Sequence, residues 1–246
     1  MPEHAPTTEL TAYLQELTAR LTAILDARLV SAWLVGSSAL GDFDARRSDI
    51  DAQAVCSLPP SAGDLEHLAA HLSHDALPCP GRGLEFVLYA QAGLADPRGP
   101  AFLLNLNTGA GMAQHTGLDP GAEPRFWFIL DVAIAREHAQ PLAGAPPVDV
   151  LPALPRTLVA GALRDAVAWY AARDGAQAIL ALCRAWAWAV DGRWLSKGAA
   201  ASWAAARLDD PSAVELAVDR RVDRVSPGPT PRQVAALREI VEPVLR

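Results

Sequence analysis

The sequence predicts a chain in two parts, an α/β domain over residues 1–145 followed by an all-helical domain over residues 146–246. Three observations carry that division. Short apolar runs bounded by turn residues recur in the first half, as buried strands require. Five prolines crowd the stretch from Pro141 to Pro155, PLAGAPPVDVLPALP, where no continuous helix can run. Beyond it, helical periodicity and a high alanine content persist to the end of the chain.

Taken in order, Thr8 to Ala27 sets Leu10, Tyr13, Leu14, Leu17, Leu21, Ile24 and Leu25 on one helical stripe, with Thr7 or Thr8 available as a cap. The run Ala32-Trp33-Leu34-Val35 reads as a buried strand that breaks at Gly36-Ser37-Ser38. Ser48-Asp49-Ile50-Asp51 opens a second alternating strand that ends near Val55. Leu58-Pro59-Pro60-Ser61 closes it, and Ser61 caps a helix running to Leu72. Gly81-Arg82-Gly83 forms a turn before a third strand, Leu84 to Tyr89. Gln91 to Pro100 reads as a loop, Ala101 to Asn107 as a short strand with Asn105 and Asn107 on one side, and Arg125 to His138 as a buried helix whose front half would also suit a strand. Further helices are expected at 156–173, 176–190, 196–208, 212–225 and 230–245, with Gly192 closing the second and Pro211 starting the fourth.

The chemistry gathers around the first turn. Asp49 and Asp51, two apart on a strand, share a face. Adjacent carboxylates repel, and a hard divalent cation relieves that repulsion. A glycine turn after one strand and paired acids on the next suit a metal-bound polyphosphate. Glu85 begins an otherwise apolar strand, where a charge either needs a partner, which a metal shared with Asp49 and Asp51 would supply, or faces water at the strand's edge. His67, His71 and His74 have spacings that bring histidines to one helix face. No HExxH pattern or neighbouring ligand accompanies them, so an exposed structural role is the expectation.

Gly36-Ser37 followed by Asp49-Ile50-Asp51 resembles the motif of the nucleotidyltransferase superfamily. Later residues resemble the streptomycin and spectinomycin adenylyltransferases: Arg184-Ala185-Trp186, then Gly192-Arg193, Ser196-Lys197-Gly198-Ala199-Ala200 and Trp203. The resemblance implies a polymerase-beta-like mixed sheet flanked by helices, a helical bundle after it, and an active site in the cleft between the two. It implies that Asp49 and Asp51 hold two Mg²⁺ ions, that Gly36 and Ser37 orient the β and γ phosphates of ATP as co-substrate, and that Ser48 assists. Glu85 is by the same analogy the general base, with a third metal ligand as its competing role. Arg184 and Lys197 are implied phosphate binders, suited by a forked and by a mobile cation respectively. Trp169 corresponds to a tryptophan of the antibiotic pocket, and Asp174 is the acid left where relatives hold the drug's cationic groups. The chain departs from the family in a shorter segment between Trp169 and Arg184 and in lacking a Glu-Trp pair within Leu103 to Thr108.

Composition narrows the setting. Hydrophobic residues make up 51% and charged residues 20%, as in a globular protein, and no run of about 18 apolar residues marks a membrane span. The N-terminus MPEHAPTTEL lacks the basic and apolar regions of a secretory signal. Cys56, Cys79 and Cys183 lie far apart and are odd in number, which argues against a disulfide framework and for the cytoplasm. The net charge of -7 disfavours a nucleic-acid partner and suits a cationic small-molecule acceptor. The expectation is AMP transfer to a hydroxyl of an aminoglycoside-like compound, conferring antibiotic resistance, by a monomer or weak dimer without membrane contact. The alternatives are transfer to a metabolite, a protein or an RNA end, and a non-catalytic nucleotide-binding relative.

Overall fold

The computed structural model describes residues 8–245, and the chain divides into two units between Leu154 and Pro155. In the first unit, α1 (Thr8–Leu25) and a 3₁₀ turn (Asp26–Arg28) lead into β1 (Leu29–Leu34) and the one-turn helix α2 (Gly36–Ala39). Then come β2 (Ile50–Cys56), α3 (Ala62–Leu72), β3 (Leu84–Ala90), α4 (Gln91–Leu94), β4 (Phe102–Thr108) and β5 (His115–Gly117). The helix α5 (Arg125–His138), β6 (Gln140–Gly144) and the short α6 (Pro147–Val150) complete it.

The sheet has the order β5-β4-β3-β2-β1-β6 and is mixed, as expected. Strand β2 runs parallel to β3, and the other pairs are antiparallel. The parallel step requires a crossover, which α3 provides; Ser61 and Asp64 close a capping box at its start. One sheet face buries Ile50, Ala52, Ala54, Phe86, Leu88, Leu104 and Leu106 against the leucine stripes of α1 and α3. The other buries Trp33, Val55, Val87, Tyr89 and Phe102 against Phe128, Val132 and Ala135 of α5. Asp51 and Glu85 belong to this second face, because they alternate in step with Val55 and with Val87 and Tyr89.

Three local readings need correction. The proline-rich stretch opens as strand β6, in which Pro141 lies opposite Trp33 on the sheet edge. An edge strand tolerates proline because one row of its N–H groups has no ladder partner to lose. The segment 91–100 begins with the helical turn α4, and β5 lies where no strand was expected. Thr7, a candidate cap for α1, lies outside the described residues.

The second unit is helical: α7 (Arg156–Ala171), α8 (Gly175–Asp191), α9 (Lys197–Ala205), α10 (Ser212–Val222) and α11 (Pro231–Val241), then a 3₁₀ turn (Glu242–Leu245). Helix α8 is its axis and packs against the other four. It is apolar nearly all round, burying Ile179, Leu180, Leu182 and Cys183 together with five other residues. Gly192 ends it in the left-handed conformation at φ 68°, and Pro211 is the N-cap residue of α10. Among the described residues no helix is long and apolar enough to cross a membrane.

Candidate active site

The turn after β1 is built around contact with β2. Val35 N donates to Asp51 O at 2.8 Å, and Gly36 follows with φ +62°. A Cβ on Gly36 would lie 1.9 Å from Asp51 Oδ2 and 2.4 Å from its Cγ. Only glycine permits both that backbone angle and that approach. Immediately beyond, the hydroxyls of Ser37 and Ser38 are buried and have no hydrogen-bond partner among the described residues. Leaving a buried hydroxyl unpaired is costly, so two in succession point to an external acceptor.

The acids stand beside this turn. Register pairs Asp51 with Glu85 on β3, Glu85 with Asn107 on β4, and Asn107 with His115 on β5. The four therefore form one row across the sheet, with strand spacings of about 4.8 Å. Glu85, at the strand's start, is exposed, while Asp51 is half-buried. Asp49 lies just ahead of β2, where Ile50 N donates to Gly83 O.

Arg82 grips Asp49 with a two-point fork, Nε to Oδ1 at 3.0 Å and Nη2 to Oδ2 at 2.8 Å. Its own backbone N donates to Ser48 O at 3.0 Å, which fixes the base of the side chain. The Asp49 hydrogen bond, then the charges of Asp49, Glu85 and Asp51, hold the guanidinium above its usual pKa against some desolvation. The sequence showed Arg82 only as the middle of a Gly-Arg-Gly turn. Its position three residues before Glu85 was the available signal.

Among the described residues no three His, Cys, Asp or Glu side chains converge as a metal cage. Magnesium does not need one, since it is commonly held by one or two carboxylates plus substrate phosphates. The hard oxygens of Asp49 and Asp51, the glycine approach and the two orphaned hydroxyls fit a magnesium-bound polyphosphate. Ser48 is placed differently from Ser37: its Oγ accepts from Asp44 N at 3.1 Å and so closes the loop that precedes the acids. The helix α3 carries His67 and His71 with ring centroids 3.9 Å apart, while His74 Nδ1 accepts from Cys79 N.

A second residue not singled out in the sequence is a carboxylate. Glu123 has a side chain only 8% exposed, accepts from Asn105 Nδ2 at 2.6 Å, and meets His115 Nε2 at 2.9 Å. It lies over Gly117, where a Cβ would come 2.0 Å from its Oε1. The contact pins the chain ahead of α5 to the sheet edge beside the row of acids.

In the second unit, Arg184 Nε donates to Leu195 O at 3.1 Å, and Lys197 Nζ donates to Gln177 Oε1 at 3.0 Å. Both cations are thus steadied along α8 and the start of α9, whose N-cap is Ser196. Trp169 is half-buried and carries the Arg173 guanidinium 4.2 Å above its ring. Asp174 is the N-cap of α8, its Oδ1 accepting from Ala176 N and Gln177 N. Trp188 and Trp194 stack at 5.5 Å in the core, and Trp186 meets Trp203 edge-on.

The family model for the aminoglycoside adenylyltransferase C-terminal domain matches residues 149–227. No curated protein matches the chain. Among solved structures, spectinomycin adenyltransferase AAD(9) from Enterococcus faecialis, crystallised with ATP and spectinomycin, superposes with a TM-score of 0.69. Identity is 17%, and the match covers 96% of this chain and 98% of that one. The chain thus shares the fold of an adenylyltransferase along nearly its whole length, and its residues 149–227 are similar to the C-terminal domain of the aminoglycoside adenylyltransferases.

Proposed function

We propose that this protein is a magnesium-dependent nucleotidyltransferase that moves AMP from ATP to a hydroxyl of a cationic, aminoglycoside-like small molecule and releases pyrophosphate. The observation that carries the reading is the Gly36 approach to Asp51, with the buried, unpartnered hydroxyls of Ser37 and Ser38 beside it. Ser37 and Ser38 donate to phosphate oxygens, and Gly36 lets the turn lie against Asp51. Asp49 and Asp51 hold the magnesium, which when bound offsets the charge developing on the transferred group. Glu85, one strand spacing from Asp51 and open to solvent, takes the proton of the acceptor hydroxyl as its oxygen attacks the α-phosphorus. The bond from that phosphorus to the bridging oxygen breaks, and pyrophosphate leaves. Arg184 and Lys197 serve as phosphate ligands.

The acceptor is argued from charge and from the relative. A chain with net charge -7 attracts cations, and AAD(9) was crystallised with spectinomycin. Trp169 offers a flat face, although Arg173 occupies one side of it. The capping duty of Asp174 favours a second reading, in which the acceptor is a less cationic hydroxyl compound, because only Oδ2 is left for a ligand. The free, buried cysteines suit the reducing cytoplasm in which we place the enzyme. The test is pyrophosphate release from each nucleoside triphosphate against a panel of acceptors including streptomycin and spectinomycin. Release with ATP and either drug supports resistance. Release only with other hydroxyl compounds moves the assignment to those, and none with any pair overturns nucleotidyl transfer.

A further inference from the structure

The fork between Arg82 and Asp49 is the least expected feature of the site. Both oxygens of a carboxylate assigned to a divalent cation are engaged by a guanidinium, at 3.0 and 2.8 Å. The pair is only partly open to water, with side chains 41% and 16% exposed. The same guanidinium lies in the field of Asp51 and Glu85, so one fixed cation answers all three acids. The turn that bears it cannot drift, because Arg82 N donates to Ser48 O and Ile50 N to Gly83 O. Gly81 and Gly83 on either side leave no room for larger residues: a Cβ would come 3.0 Å from Ser48 O at the first and 2.7 Å from Thr108 O at the second.

We propose that Arg82 is a positioning residue that competes with the divalent cation for Asp49 and thereby makes metal binding depend on the nucleotide. This rests on the nucleotidyl-transfer reading above. A metal ion arriving alone must displace a two-point charge-assisted contact, and it meets a site whose negative charge is already partly neutralised. A triphosphate changes both terms. Its oxygens complete the coordination of magnesium, and two of them on one phosphate can accept the guanidinium fork in place of the carboxylate it leaves. Metal and nucleotide therefore bind cooperatively, and by linkage each raises the affinity of the other by the same factor. Lysine would not do the same, since it lacks the fork that holds both Asp49 oxygens.

The test measures Mn²⁺ affinity by electron paramagnetic resonance of the free ion, with and without α,β-methylene ATP. Wild type should bind Mn²⁺ weakly alone and more tightly with the nucleotide. Arg82→Gln should bind Mn²⁺ alone about tenfold more tightly than wild type, about 1.4 kcal/mol, and the gain from nucleotide should shrink. Arg82→Lys should fall between the two, and it carries the test should Arg82→Gln fail to fold. A merely structural arginine would lower the melting temperature and leave Mn²⁺ affinity unchanged. Equal or weaker Mn²⁺ binding in both variants, or an unchanged nucleotide effect, overturns the proposal. If no form binds Mn²⁺ even with nucleotide, the metal reading of the site falls and takes this inference with it. Competition observed without turnover on any acceptor leaves the coupling of metal and nucleotide at Asp49 standing and rejects the transfer reading.

Discussion

Replacing Gly36 by alanine tests how the site is assembled, and its effect can be worked from two terms. At φ +62° a residue with a Cβ is in left-handed space, which costs about 1–2 kcal/mol. The new methyl would also lie 1.9, 2.4 and 2.8 Å from Asp51 Oδ2, Cγ and Cβ. Such overpacking typically costs about 1–3 kcal/mol, and here the group that must yield is the proposed metal ligand. The sum, about 2–5 kcal/mol, is a large part of the about 5–15 kcal/mol that holds a typical domain together. Gly41 supplies the control, because its φ is +71° yet a Cβ there meets nothing within 4 Å. Gly41→Ala should therefore show the backbone term alone. Urea denaturation followed by circular dichroism gives both stabilities, and calorimetry gives the affinity for ATP with Mg²⁺. Gly36→Ala should be the less stable of the two and should lose most of its nucleotide binding. Equal stabilities, or unchanged ATP affinity in Gly36→Ala, would refute the packing of this turn on Asp51.

Glu85→Gln should lower kcat about 10²–10⁴-fold, the usual contribution of a general base, with ATP affinity in calorimetry unchanged; a matching loss of Mn²⁺ binding would make Glu85 a metal ligand instead. Asp174→Ala should cost about 1 kcal/mol in urea unfolding through loss of the α8 cap, while Asp174→Ser should keep the cap. A fall in acceptor binding in the serine variant then reports the carboxylate itself, and an unchanged affinity removes Asp174 from the acceptor site. Asp64 is held below its usual pKa first by the Arg28 side chain and then by Ser61 N. A depressed carboxylate stabilises above its unfolded pKa of about 3.9, and loses that contribution as pH falls through the folded value. The melting temperature of Asp64→Asn should accordingly lie below wild type at neutral pH, and the two should converge in acid.

The parts of this molecule that were legible in its sequence are those in which one local rule acts without competition. Periodicity alone gives the helix at Arg125–His138 the bounds it has. Ser61 as a cap and Gly192 as a left-handed stop followed from single-residue preferences. What escaped depends on partners distant in sequence. Strand β6 contains a proline and takes its identity from pairing with β1, and β5 has only three residues in which to show alternation. Arg82 reads in the sequence only as part of a glycine turn, because nothing local reveals that it reaches Asp49 across 33 positions. Glu123 likewise meets Asn105 only once the sheet edge forms. Asp174 carries a local signal of its own: Asp before Gly-Ala-Gln marks a helix start, and its side chain caps α8.

The central claim is that the site at Gly36, Ser37, Asp49, Asp51 and Glu85 transfers a nucleotidyl group. Its most direct test is a single-turnover reaction with ATP labelled either at the α or at the γ phosphorus, with Mg²⁺ and the acceptor found in the pyrophosphate panel. The α label should pass to the acceptor and the γ label should appear in pyrophosphate, with both transfers abolished in a folded Asp51→Asn variant. A γ label on the acceptor, or transfer that survives in Asp51→Asn, would contradict the account.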